Sequence, residues 1–448
     1  MPTNVKENGF ESSIVIWLLQ HNGYEQGSNA DYNKEIAMDE TRLFRFLNTT
    51  QADKMKQLRL ENDPLEKEKF LQRLDQSLHT NGVIDLLRKG FRYKHLVLDM
   101  FYVRPSPGNE TAAKLYAQNI FSVTRQLQYS RQNPLLALDV CLFLNGLPIA
   151  TMELKNQLTK QNAADAVKQY KDERTPDEVL FGFKRCIVHF AVDDNEVRMC
   201  TELKGQKSWF LPFNKGYNDG AGNPPNPDGI KTDYLWKEIL RKDDFSNIIE
   251  NYVQIICDED EETHKKSYKQ IFPRYHQLQL VTSLLADAKR DGVGKRYLIQ
   301  HSAGSGKSNS IAWLAHQLVT LKDATDHNIF DTVIVVTDRV NLDKQIRNTI
   351  RQFMQVSSTV GWAKDSSELG TLLEKGTKII ITIVHKFQFI LEDISKLHTN
   401  RSFAILIDEA HSSQNGDLST KMNIVLSGSE YDNDDLLEDK INTLIDGK

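Results

Sequence analysis

Three groups of residues in this chain could do chemistry on phosphate esters. The first is the run Leu298-Ile299-Gln300-His301-Ser302-Ala303-Gly304-Ser305-Gly306-Lys307-Ser308. Gly304 and Gly306 allow positive φ and let successive backbone N–H groups, that of Ser305 included, turn toward phosphate oxygens. Lys307 adds a point charge and Ser308 a hydroxyl for Mg²⁺. This is equipment for gripping ATP, although the strict pattern wants Gly where His301 stands. The second group is Asp408-Glu409 within Phe403–His411. There Asp408 can hold Mg²⁺ and Glu409 can orient and deprotonate an attacking water. The third is Asp139 with Glu153 and Lys155. Two carboxylates able to share Mg²⁺, with a lysine to position or offset charge, suit phosphodiester hydrolysis.

Each group needs elements to hold it. Leu136–Leu144 and Pro148–Leu154 read as apolar strands joined at Gly146-Leu147-Pro148 into a hairpin. Glu153 and Lys155 are two apart on one strand, so they share a face, and the turn brings Asp139 alongside. Asp139 interrupts an otherwise apolar strand, where a carboxylate without a partner is costly. Tyr297–Gln300 reads as a buried strand feeding the phosphate loop, and Ile311, Leu314, Ala315 and Leu318 repeat at helical spacing after it. Val333–Thr337, Ile379–Ile383 and Phe403–Ile407 are further apolar strands separated by helical patterns, which predicts a parallel sheet covered on both faces. Upstream, a helix around Ile14, Trp17 and Leu18 precedes strands at Leu96–Val103, Cys186–Val192 and Val197–Thr201, with a turn signal at Asp193-Asp194-Asn195. That half predicts a mixed sheet flanked by helices. The two halves meet at the acidic run Asp258–Glu262. The expected organisation is α/β throughout: a domain over 1–257, an acidic linker over 258–268 and a second domain over 269–448. Asn214–Asp228, rich in Gly and Pro, is an irregular excursion.

At 448 residues the chain exceeds one core. Hydrophobic residues at 40% and charged residues at 26% are ordinary for a globular protein, and no apolar run reaches the ~18 residues needed to cross a bilayer. Met1–Asn8 lacks the plan of a signal peptide, so a cytoplasmic protein with no membrane partner is expected. The four cysteines are scattered and expected to be reduced. A net charge of −5 argues against coating nucleic acid through overall charge. A local lining remains available in Arg88, Lys89, Arg92 and Lys94, or in Arg125 and Arg131.

From about residue 270 to about 420 the motifs resemble superfamily 2 DEAD/DEAH-type helicases and translocases. The carriers are HSAGSGKS, Val335–Arg339 (VVTDR), Thr382–Phe387 (TIVHKF) and Ile407–His411 (IDEAH). In that setting Gln277, in Arg274-Tyr275-His276-Gln277, could read an adenine edge through its paired donor and acceptor, and the Thr337 and Thr382 loops could touch a nucleic-acid backbone. The family needs a second motor lobe, and nothing after Gly416 leaves room for one, so the expectation is part of a longer protein. With the Asp139/Glu153/Lys155 hairpin ahead of the motor, the whole chain is similar to the restriction (R) subunit of type I restriction-modification enzymes. The resemblance implies a mixed-sheet restriction-endonuclease-like domain followed by a RecA-like P-loop lobe. It further implies ATP-driven translocation on double-stranded DNA, Mg²⁺-dependent cleavage, and methyltransferase and specificity subunits as partners that choose the target. It makes Glu11 a further active-site acid and gives Gln169 a role in holding DNA near the metal. The tyrosine expected four residues after Gln169 is Glu173 here, while Tyr170 adjoins Gln169. Two rivals stand beside this reading: a non-nucleolytic DNA remodeller or helicase whose first half docks partners, and a stand-alone repair helicase or nuclease.

Overall fold

Ala137–Leu144 and Leu147–Leu154 are apolar on both faces, and such strands must be covered on both. In the computed structural model, which describes residues 7–105, 108–156, 160–259, 263–302, 304–337, 349–350, 360–363, 366–383 and 401–408, they lie at the centre of a seven-stranded sheet. Its strands are β1 (Glu25–Gln26), β2 (Phe121–Gln128), β3 (Ala137–Leu144), β4 (Leu147–Leu154), β5 (Val188–Val192), β6 (Val197–Cys200) and β7 (Leu211–Pro212), in that order across the sheet. The β1/β2 and β4/β5 pairs are parallel and the others antiparallel, which makes the sheet mixed. Helix α1 (Glu7–Gln20) packs near β2 and β4, and α2 (Ala163–Glu173) is the crossover from β4 to β5. Ala163, Ala166, Val167 and Tyr170 form the buried stripe of α2, and its start is held by a capping box between Asn162 and Asp165.

The β3–β4 turn is shorter than the sequence suggests. Asn145 and Gly146 both take positive φ, 51° and 85°, the two-residue geometry whose twist matches a hairpin. A Cβ on Gly146 would meet the Asp39 carbonyl at 2.4 Å and the Leu43 nitrogen at 2.8 Å, so only glycine fits.

Three expectations need correction. The strand expected over Leu96–Val103 ends at Leu98, because side-chain amides take the place of a neighbouring strand. Gln51 accepts from the Asp99 N–H and donates to its carbonyl, each at 2.9 Å, and Asn119 does the same for Tyr102 at 3.1 and 2.7 Å. The acidic run is no simple linker: Gln254–Glu259 (β8) pairs antiparallel with Lys266–Ile271 (β9), leaving 260–262 outside the described residues. An exposed ribbon tolerates charge on its side chains, here with a Lys269–Asp258 pair at 2.9 Å. The Gln270 amide anchors it by donating to the Cys186 and Ile187 carbonyls at 2.8 Å. The chain divides into two compact units between His276 and Gln277, at the start of α3 (Tyr275–Asp291).

In the second unit, β10 (Thr332–Thr337), β11 (Val360–Trp362), β12 (Ile379–Ile383) and β13 (Phe403–Ile407) form a wholly parallel sheet in the order β11-β12-β10-β13. Ile334, Val336, Leu369, Leu373 and Ile380 share its core. The third correction falls here. Tyr297–Gln300 is not a strand, and Leu298 is 91% exposed. An apolar run becomes a strand only where another edge takes its N–H and C=O groups, and none of the four described strands does so. Among the described residues, no helix is long and apolar enough to cross a membrane.

Candidate functional site

The register of β3 on β4 runs Cys141↔Thr151 and Val140↔Met152, so the next step brings Asp139 abreast of Glu153. Asp139 is half-buried and accepts the Leu154 N–H on Oδ2 at 2.8 Å. Glu153 is fully buried, and Lys155, one residue past β4, is 8% exposed. Burial, then the nearby Asp139 charge, pushes Glu153 up to about 8, with Arg174 and Lys155 opposing the shift. The three predicted nuclease residues therefore share one place and one electrostatic environment.

Glu11, on α1, is buried and reaches the same place through two residues that sequence reasoning missed as a pair. Arg125 donates to its Oε1 and to Ser12. Gln126 donates from one amide nitrogen to Glu11 Oε2 at 2.8 Å and to Asp139 Oδ1 at 3.3 Å. Gln126 sits opposite Asp139 in the β2–β3 ladder, between the Arg125↔Val140 and Leu127↔Leu138 pairs, with a φ of 45°. A non-glycine residue held in that region inside a strand marks stored strain. Gln169 lies half-buried on α2, its Oε1 buried without a hydrogen-bond donor among the described residues. Glu173 is solvent-exposed, whereas Tyr170 is buried, its hydroxyl 2.8 Å from Thr151 Oγ1, which also meets His189 Nδ1 at 2.7 Å. Arg174, next after α2, is the other residue missed: its guanidinium meets Glu153 at 2.5 Å. No periodicity or motif flags a residue whose partner is twenty-one positions away on another element.

The arrangement fits a divalent cation. Glu153 Oε2 is buried and without a hydrogen-bond donor among the described residues, and a second carboxylate stands opposite. Among the described residues no three or more His, Cys, Asp or Glu side chains converge. Two carboxylates with water completing the shell are the donor set that Mg²⁺ accepts. Of the expected basic lining, Arg88 donates to the Ile249 carbonyl, and Arg125 is held by Glu11 beside the candidate site.

In the second unit, Gly304 and Gly306 take φ of 72° and 84°, and Gly306 caps α4 (Lys307–Val319). His301, the departure from the strict pattern, closes the loop through Nδ1 to Ser305 Oγ at 2.8 Å. Gln277, the residue expected to read an adenine edge, is buried, its amide nitrogen donating to the Ser305 and Gly306 carbonyls at 3.2 and 2.9 Å. Ser308 follows Lys307 in the first turn of α4. Asp408 leaves the C-terminal end of β13, where ligands sit in parallel sheets, and its Oδ1 is 3.1 Å from Lys307 Nζ. An N-terminal helix turn, a lysine and a carboxylate fit a Mg²⁺-bound nucleotide. Ala303, Asp338, Arg339, Val384–Phe387, Glu409 and the tail after it lie outside the described residues.

Residues 4–208 match the family model of the type I restriction enzyme R protein N terminus, and residues 276–431 match that of the SWI2/SNF2 ATPase, which fits a RecA-like lobe. The type I restriction enzyme HindI endonuclease subunit of Haemophilus influenzae is 23% identical over 436 residues, covering 92% of this chain and 39% of its own length. An endonuclease subunit from Staphylococcus aureus is 25% identical over 412 residues, with 89% of this chain and 39% of its own length covered. One from Staphylococcus saprophyticus is 24% identical over 413 residues with the same coverage. The chain thus spans about two fifths of the length of these curated relatives. Two family matches in tandem, with endonuclease subunits aligned along most of its length, make this chain similar to the R proteins of type I restriction enzymes.

Proposed function

We propose that this chain supplies the nuclease site and the nucleotide-binding lobe of a type I restriction enzyme. On this reading the mixed sheet is a restriction-endonuclease-like domain, ATP hydrolysis drives translocation on double-stranded DNA, and Mg²⁺-dependent cleavage follows. The observation that carries it is Asp139 set abreast of Glu153, with Glu153 Oε2 buried and without a donor, in one chain with a phosphate loop.

Bound Mg²⁺ would polarise the scissile phosphate and acidify a water. Asp139 and Glu153 hold it. Lys155 offsets charge developing on the phosphate oxygens. Glu11 and Gln126 fix Asp139 from the α1 side, and Gln169 holds the DNA strand beside it. In the motor, Lys307 and the loop N–H groups take the ATP phosphates, Ser308 and Asp408 take the metal, and Glu409 receives the proton of the attacking water. Methyltransferase and specificity subunits choose the target, and the assembly works in the cytoplasm.

The test is plasmid cleavage by the full-length subunit reconstituted with both partners. Asp139→Ala should abolish cleavage and leave ATP hydrolysis, whereas Lys307→Ala should abolish both. Cleavage by Asp139→Ala at the wild-type rate would remove the nuclease assignment from this hairpin, and a wild-type assembly that does not cleave would leave a non-nucleolytic remodeller as the reading. Undiminished cleavage by Lys307→Ala would remove the ATP coupling.

A further inference from the structure

Arg174 is 2% exposed and makes three hydrogen bonds from one planar guanidinium. Its Nε donates to Glu153 Oε1 at 2.5 Å, its Nη1 to the Tyr129 hydroxyl at 2.9 Å and its Nη2 to the Ala137 carbonyl at 2.9 Å. Tyr129 follows β2, Ala137 opens β3 and Glu153 lies near the end of β4. One side chain thus ties three successive strands together at the level of the candidate metal site. Its Tyr129 partner is also packed under it, the guanidinium carbon lying 5.3 Å from the ring centre.

A carboxylate pinned by one oxygen has its rotation fixed. With Oε1 held by Arg174, Oε2 is the oxygen left buried and without a donor. The Ala137 bond sets the same guanidinium against β3, two residues before Asp139. We propose that Arg174 is a positioning residue: it sets the rotation of Glu153 so that Oε2 and Asp139 together present one divalent-cation site. The inference rests on the nuclease reading above. The rival is that Arg174 merely offsets a buried negative charge, a task that a lysine performs equally well. Shape separates the two, because an ammonium keeps the charge and cannot reproduce three bonds fixed in one plane.

The experiment uses the full-length subunit without nucleotide. Mn²⁺ binding is measured by calorimetry for wild type, Arg174→Lys, Tyr129→Phe and Asp139→Ala, and cleavage by the reconstituted enzyme is followed against Mg²⁺ concentration. Wild type should take Mn²⁺ at a site that Asp139→Ala removes. Arg174→Lys should bind it about 10- to 100-fold more weakly, the range for losing a partner that orients a metal ligand. Its cleavage should recover toward wild type at high Mg²⁺, so that apparent metal affinity shifts more than maximal rate. Tyr129→Phe, which removes one acceptor from the guanidinium and keeps the ring, should shift affinity in the same direction by less. Wild-type affinity in Arg174→Lys, with Asp139→Ala still losing the site, overturns the positioning role alone. If Arg174→Lys does not fold, an unchanged affinity in Tyr129→Phe overturns it. A wild-type protein that takes no Mn²⁺ at Asp139, or an Asp139→Ala subunit that still cleaves, brings down the nuclease reading and this inference with it.

Discussion

Lys307 and Asp408 are in contact, Nζ to Oδ1 at 3.1 Å, although their proposed tasks lie on different partners: the lysine on phosphate, the carboxylate on the metal. Without nucleotide each neutralises the other, and ATP must part them. Asp408→Asn should therefore lower ATP hydrolysis by roughly 100-fold or more, the scale for removing one charge-stabilising group. Binding of metal-free nucleotide should not weaken, because Lys307 loses a competing carboxylate. Titration with a fluorescent ATP analogue in EDTA checks this, and a weaker affinity in Asp408→Asn would contradict the contact.

Glu153 gives a pH signature. Its carboxyl is held up to about 8 in the fold, against an ordinary glutamate value when unfolded. A raised acid favours folding below the unfolded value, and that advantage is lost as pH rises toward 8. Relative to Glu153→Gln, metal-free wild type should lose stability between about pH 5 and 8, by no more than about 1.4 kcal/mol per pH unit. Chemical unfolding of both across that window decides; parallel curves would sink the idea.

Gln126 is held at a φ of 45° while bridging Glu11 and Asp139. Glycine relieves the backbone strain and removes the bridge. Gln126→Gly should change stability by no more than about 1 kcal/mol, since relief and lost contacts offset, while plasmid cleavage falls. Reduced stability with intact cleavage would show the bridge to be structural only.

Thr151 serves the hydroxyl of Tyr170 and the Nδ1 of His189 inside the core. Burial pushes His189 down to about 3, so it stays neutral through the working range. Thr151→Val leaves both groups buried without their partner, which should cost about 2–4 kcal/mol in urea unfolding. Thr151→Ser should cost much less. The depressed imidazole also predicts stability that is full above about pH 6.5 and lost as pH falls toward 3.

The hairpin with Asp139 and Glu153 was legible because two apolar runs, a glycine turn between them and an out-of-place carboxylate are all local signals. The phosphate loop was legible for the same reason. What escaped depended on distant partners. Arg174 and Gln126 read as ordinary polar residues until β2, β3, β4 and α2 are assembled. The Tyr297–Gln300 run had strand composition and lacked an edge to join, and the charged run near Asp258 had linker composition and formed a ribbon. Composition reports what a segment tolerates, and pairing decides what it becomes.

The two strands that carry the candidate acids are buried on both faces, so oil and water do not tell them which way to face. That information is shared between a one-residue register shift at Leu142/Phe143 and the far end of the hairpin, where Asn145 is anchored to Ile120, Met100 and Asn119 and Gly146 is wedged against Asp39. Shift and turn together act as a parity setting. One residue inserted there would send Asp139 and its neighbours to the opposite side of the sheet while leaving a strand equally content to be buried, and a second insertion would return them. The chemistry is thus tuned by counting, at a point that touches none of the reacting groups.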